Sequence, residues 1–281
     1  MIKIVCWNIR RSKAPWDELL AMDADVGLIQ EAGKIPPDLR ARIDTGSHAT
    51  CDQWFYLDDF DRWPLVVKLS DRVRVEWFKR VVPRYKSAAP DEMVVSDAGT
   101  IAAARVIPLD QEPFIVVSMY SRWLKPHKST PTKWSVGYSD ASTHRIISDL
   151  SAFIGSSDPA THRIIAAGDL NTIYECTDTA LVIPTRDKSV FERMDGLGLR
   201  FLGPRYPDGL CKTPTPKGLP SDTMNVPTYY TVRARTPENA RHQLDYVFAS
   251  RGFHKGIRTR ALNDPVEWGS SDHCRIMIEI D

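Results

Sequence analysis

Oxygen-bearing side chains recur at the ends of apolar runs in this chain. "IKIVCWN" (2–8) closes on Asn8, and "ADVGLIQEA" (24–32) reaches Glu31 near its end. "PFIVVSMY" (113–120) stops at Tyr120, and "IIAAGDLNT" (164–172) stops at Asp169 and Asn171. "QLDYVFAS" (243–250) starts beside Asp245, and "SDHCRIMIEI" (271–280) starts with Asp272 and His273. Residues two apart in an extended chain share a face, so Asp169 and Asn171 would point together while Leu170 turns back into the core. The competing reading is a turn in which Asp and Asn satisfy local backbone groups. Amide and carboxylate oxygens suit a hard divalent cation, Mg²⁺ or Mn²⁺, and no Cys/His cluster suggests zinc. A further Asp and His beside such a cation are what phosphoester hydrolysis requires. The cation polarises a phosphoryl oxygen while a carboxylate prepares a water.

Strands must bring these side chains to one rim, because side chains at the ends of sheet strands project to where ligands bind. The run 2–8, the helical stretch "APWDELLAM" (14–22) and the run 24–32 suggest a strand–helix–strand crossover. "WFYL", "LVVKLS", "RVRVEWFKRVV", "TIAAARVIPL" and "PFIVVSMY" follow as strand candidates, with 83–99 as a connecting loop. Residues 140–155 are the strongest helix, with Ile146, Ile147, Leu150, Phe153 and Ile154 on one face and Gly155 at its stop. The strand around 164–169 comes next, then a helix near 188–197. Residues 203–243 are rich in proline and read as a long irregular excursion, a feature that is usually functional in a compact domain. With no repeat, low-complexity tract or linker, residues 1–281 are expected to form one domain.

Composition bounds the possibilities. The 281 residues are 42% hydrophobic and 26% charged, which is ordinary globular usage. No run reaches the roughly 18 apolar residues of a membrane span. The N-terminus lacks a signal-peptide cleavage pattern, so a soluble, cytoplasmic protein is expected. Five cysteines without CxxC spacing fit a reducing compartment. A net charge of +1 means that any polyanion site must be a local patch.

In order, "CWNIR", "LIQEA", "SMY", "GDLN", "LDYVF" and "SSDHC" resemble the motifs of the endonuclease/exonuclease/phosphatase superfamily, nearest the exonuclease III- and deoxyribonuclease I-like nucleases. The resemblance spans residues 6 to 274. It implies an α/β fold of two packed mixed β-sheets flanked by helices, a four-layer sandwich. It also implies Mg²⁺ or Mn²⁺ as cofactor, with Glu31 as main metal ligand and Asn8 and Asp272 beside it. Asp169 would orient or deprotonate the attacking water, Asn171 would hold a phosphate oxygen, and His273, set by Asp245, would donate to the phosphate.

Tyr120 points to the substrate. The lipid and inositol phosphatase branches tend to place histidine there, and the exonuclease III-like branch tyrosine, so a nuclease acting on DNA, or RNA, is expected. The loop after it carries Arg122, Lys125, Lys128 and Lys133 interleaved with Trp123, Trp134 and Tyr138, the pieces of a nucleic-acid surface. "PTYYT" resembles the family's Thr-aromatic motif, which makes Thr228 and Tyr229 substrate-side candidates, with Trp268 another. "SMYSRW" lacks the asparagine and proline usual in exonuclease III relatives, and "RHQ" before "LDY" lacks the tryptophan common in AP endonucleases. The resemblance therefore implies phosphodiester hydrolysis without implying abasic-site recognition. The alternatives are a phosphoesterase for a nucleotide, lipid head group or sugar phosphate, and a nucleic-acid-binding protein with a vestigial site.

Overall fold

The computed structural model describes residues 1–46, 63–84, 87–97, 99–125, 127, 129, 139–155, 158 and 160–281. In chain order its strands are β1 (Ile2–Asn8), β2 (Val26–Gln30), β3 (Leu65–Lys68), β4 (Val73–Trp77), β5 (Lys79–Val81), β6 (Glu92–Val94), β7 (Ile101–Pro108), β8 (Phe114–Tyr120), β9 (Ile164–Asp169), β10 (Leu199–Gly203), β11 (Asp245–Ser250), β12 (Ile257–Leu262) and β13 (Arg275–Ile280). The helices are α1 (Ala14–Ala21), α2 (Asp140–Ile154) and α3 (Pro184–Gly196).

Alternation along the strands builds the layers. In β1, Ile2, Ile4 and Cys6 face one way and Val5 and Trp7 the other. The first set packs against Val116, Ile165, Ala167 and Val247 of a second sheet, while the second packs on Trp16 and Leu19 of α1. On the far side of that second sheet, Val117, Ala166 and Phe248 meet Ile146, Leu150, Val190 and Phe191 of α2 and α3. The sequence helix–sheet–sheet–helices is the expected four-layer sandwich. The first sheet runs β12-β13-β1-β2-β3 and the second β10-β11-β9-β8-β7-β4, each mixing parallel and antiparallel pairs. β1 and β2 are parallel with α1 between them, as the crossover reading requires. Among the described residues no helix is long and apolar enough to cross a membrane.

Several expectations need correcting. The run 72–82 divides: β4 pairs with β7, whereas β5 leaves to pair with β6 in a separate small sheet. β6 lies inside the stretch 83–99 read as loop. β10 and the edge strand β12 were not foreseen; β12 carries outward Arg258 and Arg260, and such charge both protects an edge and hides it from a hydrophobic pattern. α3 starts at Pro184 rather than near 188, with proline in its first turn, where a missing N–H costs nothing. Asp272 and His273 lie ahead of the last strand, which begins at Arg275. "WFYL" falls outside the described residues.

Candidate active site

The alternation that fills the space between the sheets continues to their ends. Asn8 follows Cys6, Tyr120 follows Ser118, Asp169 follows Ala167, and Asp245 precedes Val247, each in step with residues of the inter-sheet layer. The register sets Asp169 between Tyr120 on β8 and Asp245 on β11. Gly168 allows this close pairing, because a Cβ there would stand 1.8 Å from the Met119 carbonyl oxygen. The two sheets are tied at this end by Gln30, whose amide donates to Ser118 Oγ at 2.9 Å.

At this rim, Asn8 Nδ2 donates to Asp169 Oδ2 at 2.9 Å, and His273 Nε2 lies 3.8 Å from the same oxygen. The other ring nitrogen of His273, Nδ1, is 2.8 Å from Asp245 Oδ2, which also accepts the Thr228 hydroxyl at 2.6 Å. Tyr120 donates its hydroxyl to Glu31 Oε1 at 3.0 Å. Burial raises the pKa of Asp169, the charge of Asp245 adds to this, and His273 opposes it. For His273 burial works against the charged ring, but Asp245 and Asp169 outweigh it and hold its pKa above the ordinary value. The ring is thus fixed between two buried carboxyl groups.

Asn171 reaches the site by another route than alternation. β9 ends at Asp169, Asn171 adopts left-handed backbone (φ +49°), and its N–H donates to Asp169 Oδ1 at 2.9 Å. Its side-chain amide donates to the Ser121 carbonyl at 2.9 Å and approaches Asp169 Oδ2 at 3.2 Å. Leu170 meanwhile enters the core against the helices, as expected. The turn reading of this stretch therefore holds in place of alternation: a turn closes the strand, and the turn delivers the amide.

Glu31 and Asp272 complete the set. Burial and the negative charges of Asp272, Asp169 and Glu31 raise the Tyr229 pKa while Arg10 opposes them. Tyr229 also lays its ring on His273, with centroids 4.8 Å apart. The donors Asn8, Glu31 and Asp272 are all oxygen, which fits Mg²⁺ or Mn²⁺, and two guanidinium groups, described below, already balance the two carboxylates. Asp169, Asp245 and His273 also lie close enough to hold an ion. There Asp245 Oδ2 faces His273 Nδ1, while Asp245 Oδ1 has no hydrogen-bond partner among the described residues.

Two expected substrate contacts turn out differently. Trp268 is 1% exposed and donates its indole N–H to the Ser271 carbonyl at 3.0 Å, so it braces the turn that carries Asp272. Thr228 is fully buried; it accepts the N–H groups of Leu244 and Asp245 while donating to Asp245, and is a brace as well. Arg122 pairs with Asp97 at 3.1 Å, a carboxylate shared with Arg145. Tyr229 keeps its place at the rim. Lys128, Lys133, Trp134 and Tyr138 fall outside the described residues. Beside Asn171 a cavity of about 260 Å³ opens between Trp123, Ile173, Leu181, Tyr229, His242 and Leu244.

The profile of the Endonuclease/Exonuclease/phosphatase family matches residues 5–273. The chain belongs to that family. No curated protein sequence matches it, but solved structures do. The endonuclease domain of TRAS1, a telomere-specific non-LTR retrotransposon, is 16% identical and superposes with a TM-score of 0.60 over 100% of this chain and 98% of its own. A 3'-5' exonuclease (NExo) from Neisseria meningitidis is 15% identical, TM-score 0.61, with 100% of both chains covered. The AP endonuclease LMAP from Leishmania major is 16% identical, TM-score 0.57, with 99% of this chain and 86% of that one covered. These likenesses are of fold.

In this member of the Endonuclease/Exonuclease/phosphatase family the sequence reading missed supports that carry no motif. Trp7 donates its indole N–H to the His273 carbonyl at 2.8 Å, and Ser271 Oγ donates to the Asn8 carbonyl at 2.7 Å. Both contacts span more than 260 residues, and no local pattern announces them. Arg10 and Arg11 were in plain view beside Asn8. Their signal was two cations following a strand-end amide.

Proposed function

We propose that this phosphoesterase is a nuclease that uses Mg²⁺ or Mn²⁺ to hydrolyse phosphodiester bonds of DNA. The observation that carries the reading is Asp169: a buried carboxylate flanked by an amide donor on Asn8 and the ring of His273. The family membership and the nuclease neighbours support it. Glu31, Asn8 and Asp272 would hold the cation, which when bound polarises a phosphoryl oxygen and offsets charge as the bond breaks. Asp169, whose proton affinity is raised by burial, accepts the proton of the attacking water. Asn8 fixes the orientation of that carboxylate. Asn171 would turn one amide N–H from Asp169 to a non-bridging phosphate oxygen, and His273 would donate from Nε2 to another, held in that orientation by Asp245. The cavity beside Asn171 leaves room for the sugar or base adjoining the scissile phosphate.

A metal-by-substrate panel tests this reading. The purified chain should cut supercoiled plasmid or an oligonucleotide with Mg²⁺ or Mn²⁺ and not with EDTA. Faster turnover of bis-p-nitrophenyl phosphate or of a sugar phosphate than of either polynucleotide would instead favour the small-molecule phosphoesterase. Binding without turnover under every metal would favour a vestigial site.

A further inference from the structure

Arg10 and Arg11 follow β1 directly, and both adopt left-handed backbone, with φ of +49° and +57°. Glu31, at the end of the neighbouring strand, does the same at +45°. This conformation is uncommon for residues with a side chain and clusters where function demands a particular geometry. Here two backbone hydrogen bonds impose it. Arg10 N–H donates to Asn8 Oδ1 at 3.0 Å, and Arg11 N–H donates to the Glu31 carbonyl at 2.8 Å.

The turn lays the guanidinium groups along two carboxylates of the candidate cation site. Arg10 Nε is 3.6 Å from Asp272 Oδ2, and Arg11 Nε is 3.7 Å from Glu31 Oε2. The carboxylate side chains are 11% and 13% exposed, the arginine side chains 50% and 40%. The 3.6 Å separation is a charge pairing beyond hydrogen-bond length. A loose pair of this kind, with a half-exposed arginine, is easily exchanged for a better one.

A divalent cation and the Arg10 guanidinium need the same carboxylate. A phosphate also offers a guanidinium a fork of two oxygens, which a carboxylate at 3.6 Å does not engage. We propose that Arg10 is an exchangeable counter-ion that links cation binding to substrate binding. It balances Asp272 in the cation-free protein and moves to a substrate phosphate when the cation takes Asp272. The proposal rests on the nuclease reading above and adds to it a residue that regulates the same site. By linkage, a phosphodiester that draws Arg10 away tightens the cation by the factor with which the cation tightens the phosphodiester. Arg11 makes the matching contact on Glu31.

Isothermal titration of the full chain with Mn²⁺ tests this without using activity. Arg10→Gln should bind Mn²⁺ about three- to fivefold more tightly than wild type, the range open to an exposed ion pair. Arg10→Lys, which keeps the charge, should stay near wild type. In an Asp169→Asn background, which slows turnover, a short DNA duplex should tighten Mn²⁺ clearly more with Arg10 present than with Gln at that position. Unchanged or weaker Mn²⁺ binding by Arg10→Gln would overturn the proposal, as would equal tightening by duplex in both backgrounds. Glu31→Gln judges the underlying reading separately: Mn²⁺ affinity equal to wild type in that variant would place the cation elsewhere.

Discussion

Asn8 and Asp169 stand 161 residues apart in sequence and at the ends of strands in different sheets, yet the Asn8 amide donates to the Asp169 carboxylate at 2.9 Å. The candidate site is therefore a seam between two sheets, and its geometry depends on how they pack as much as on its own residues. Asn8→Ala should lower turnover about tenfold or more, since the carboxylate loses its orienting donor. Steady-state cleavage rates, with thermal melting to verify folding, check this.

Thr228 locks Asp245 from below. Thr228→Val keeps the shape but removes the hydroxyl that donates to Asp245 Oδ2 and accepts two backbone N–H groups. Leaving those buried groups unpaired should cost about 1–3 kcal/mol in urea unfolding. Thr228→Ser should recover most of that stability, because it restores the hydroxyl.

Gly168→Ala tests the strand pairing that sets Asp169 beside Tyr120. The new Cβ would fall 1.8 Å from a β8 carbonyl oxygen, so β8 and β9 must separate. A loss above about 3 kcal/mol is expected in the same unfolding assay. Gly196→Ala, where nothing lies within 4 Å, serves as the contrast and should be neutral or slightly stabilising.

Asp187, in the first turn of α3, makes stability depend on pH. Burial, followed by the charge of Asp140, raises its pKa to about 7. In the unfolded chain the carboxyl loses its proton near pH 4, while the folded chain retains it until about 7. The contribution of this carboxyl to stability should thus fall as pH rises from about 4 to 7, by up to about 4 kcal/mol, and the loss is complete above. Asp187→Asn should reduce that slope, Asp169, also raised to about 7, supplying the remainder, and should exceed wild type at pH 8. Urea midpoints at pH 4, 6 and 8 measure it, and a wild-type midpoint that does not fall between pH 4 and 7 would contradict it.

The strand ends were legible in the sequence because buried strands announce themselves as apolar runs, and a polar residue that closes such a run must be satisfied somewhere. That logic located Asn8, Tyr120, Asp169 and Asp245, and the order of the motifs pointed to the family. It did not show which way a side chain faces once the strand has ended. Asn171 comes back to Asp169 through a left-handed turn rather than alternation. Trp268 and Thr228 look the same in sequence whether they face a ligand or, as here, lie buried beneath the site. β12 stayed hidden because outward arginines interrupt its apolar residues, as they do on an edge strand. Arg10 and Arg11 read as surface charge until the fold sets Asp272 and Glu31 against them.

The central claim is that Asp169 handles the proton of the attacking water. Asp169→Asn keeps the shape and the Asn8 and Asn171 neighbours but removes the base, so cleavage of supercoiled plasmid with Mg²⁺ or Mn²⁺ should drop about 10²–10⁴-fold while the melting transition stays cooperative. A folded Asp169→Asn protein that cuts plasmid as fast as wild type would contradict the account.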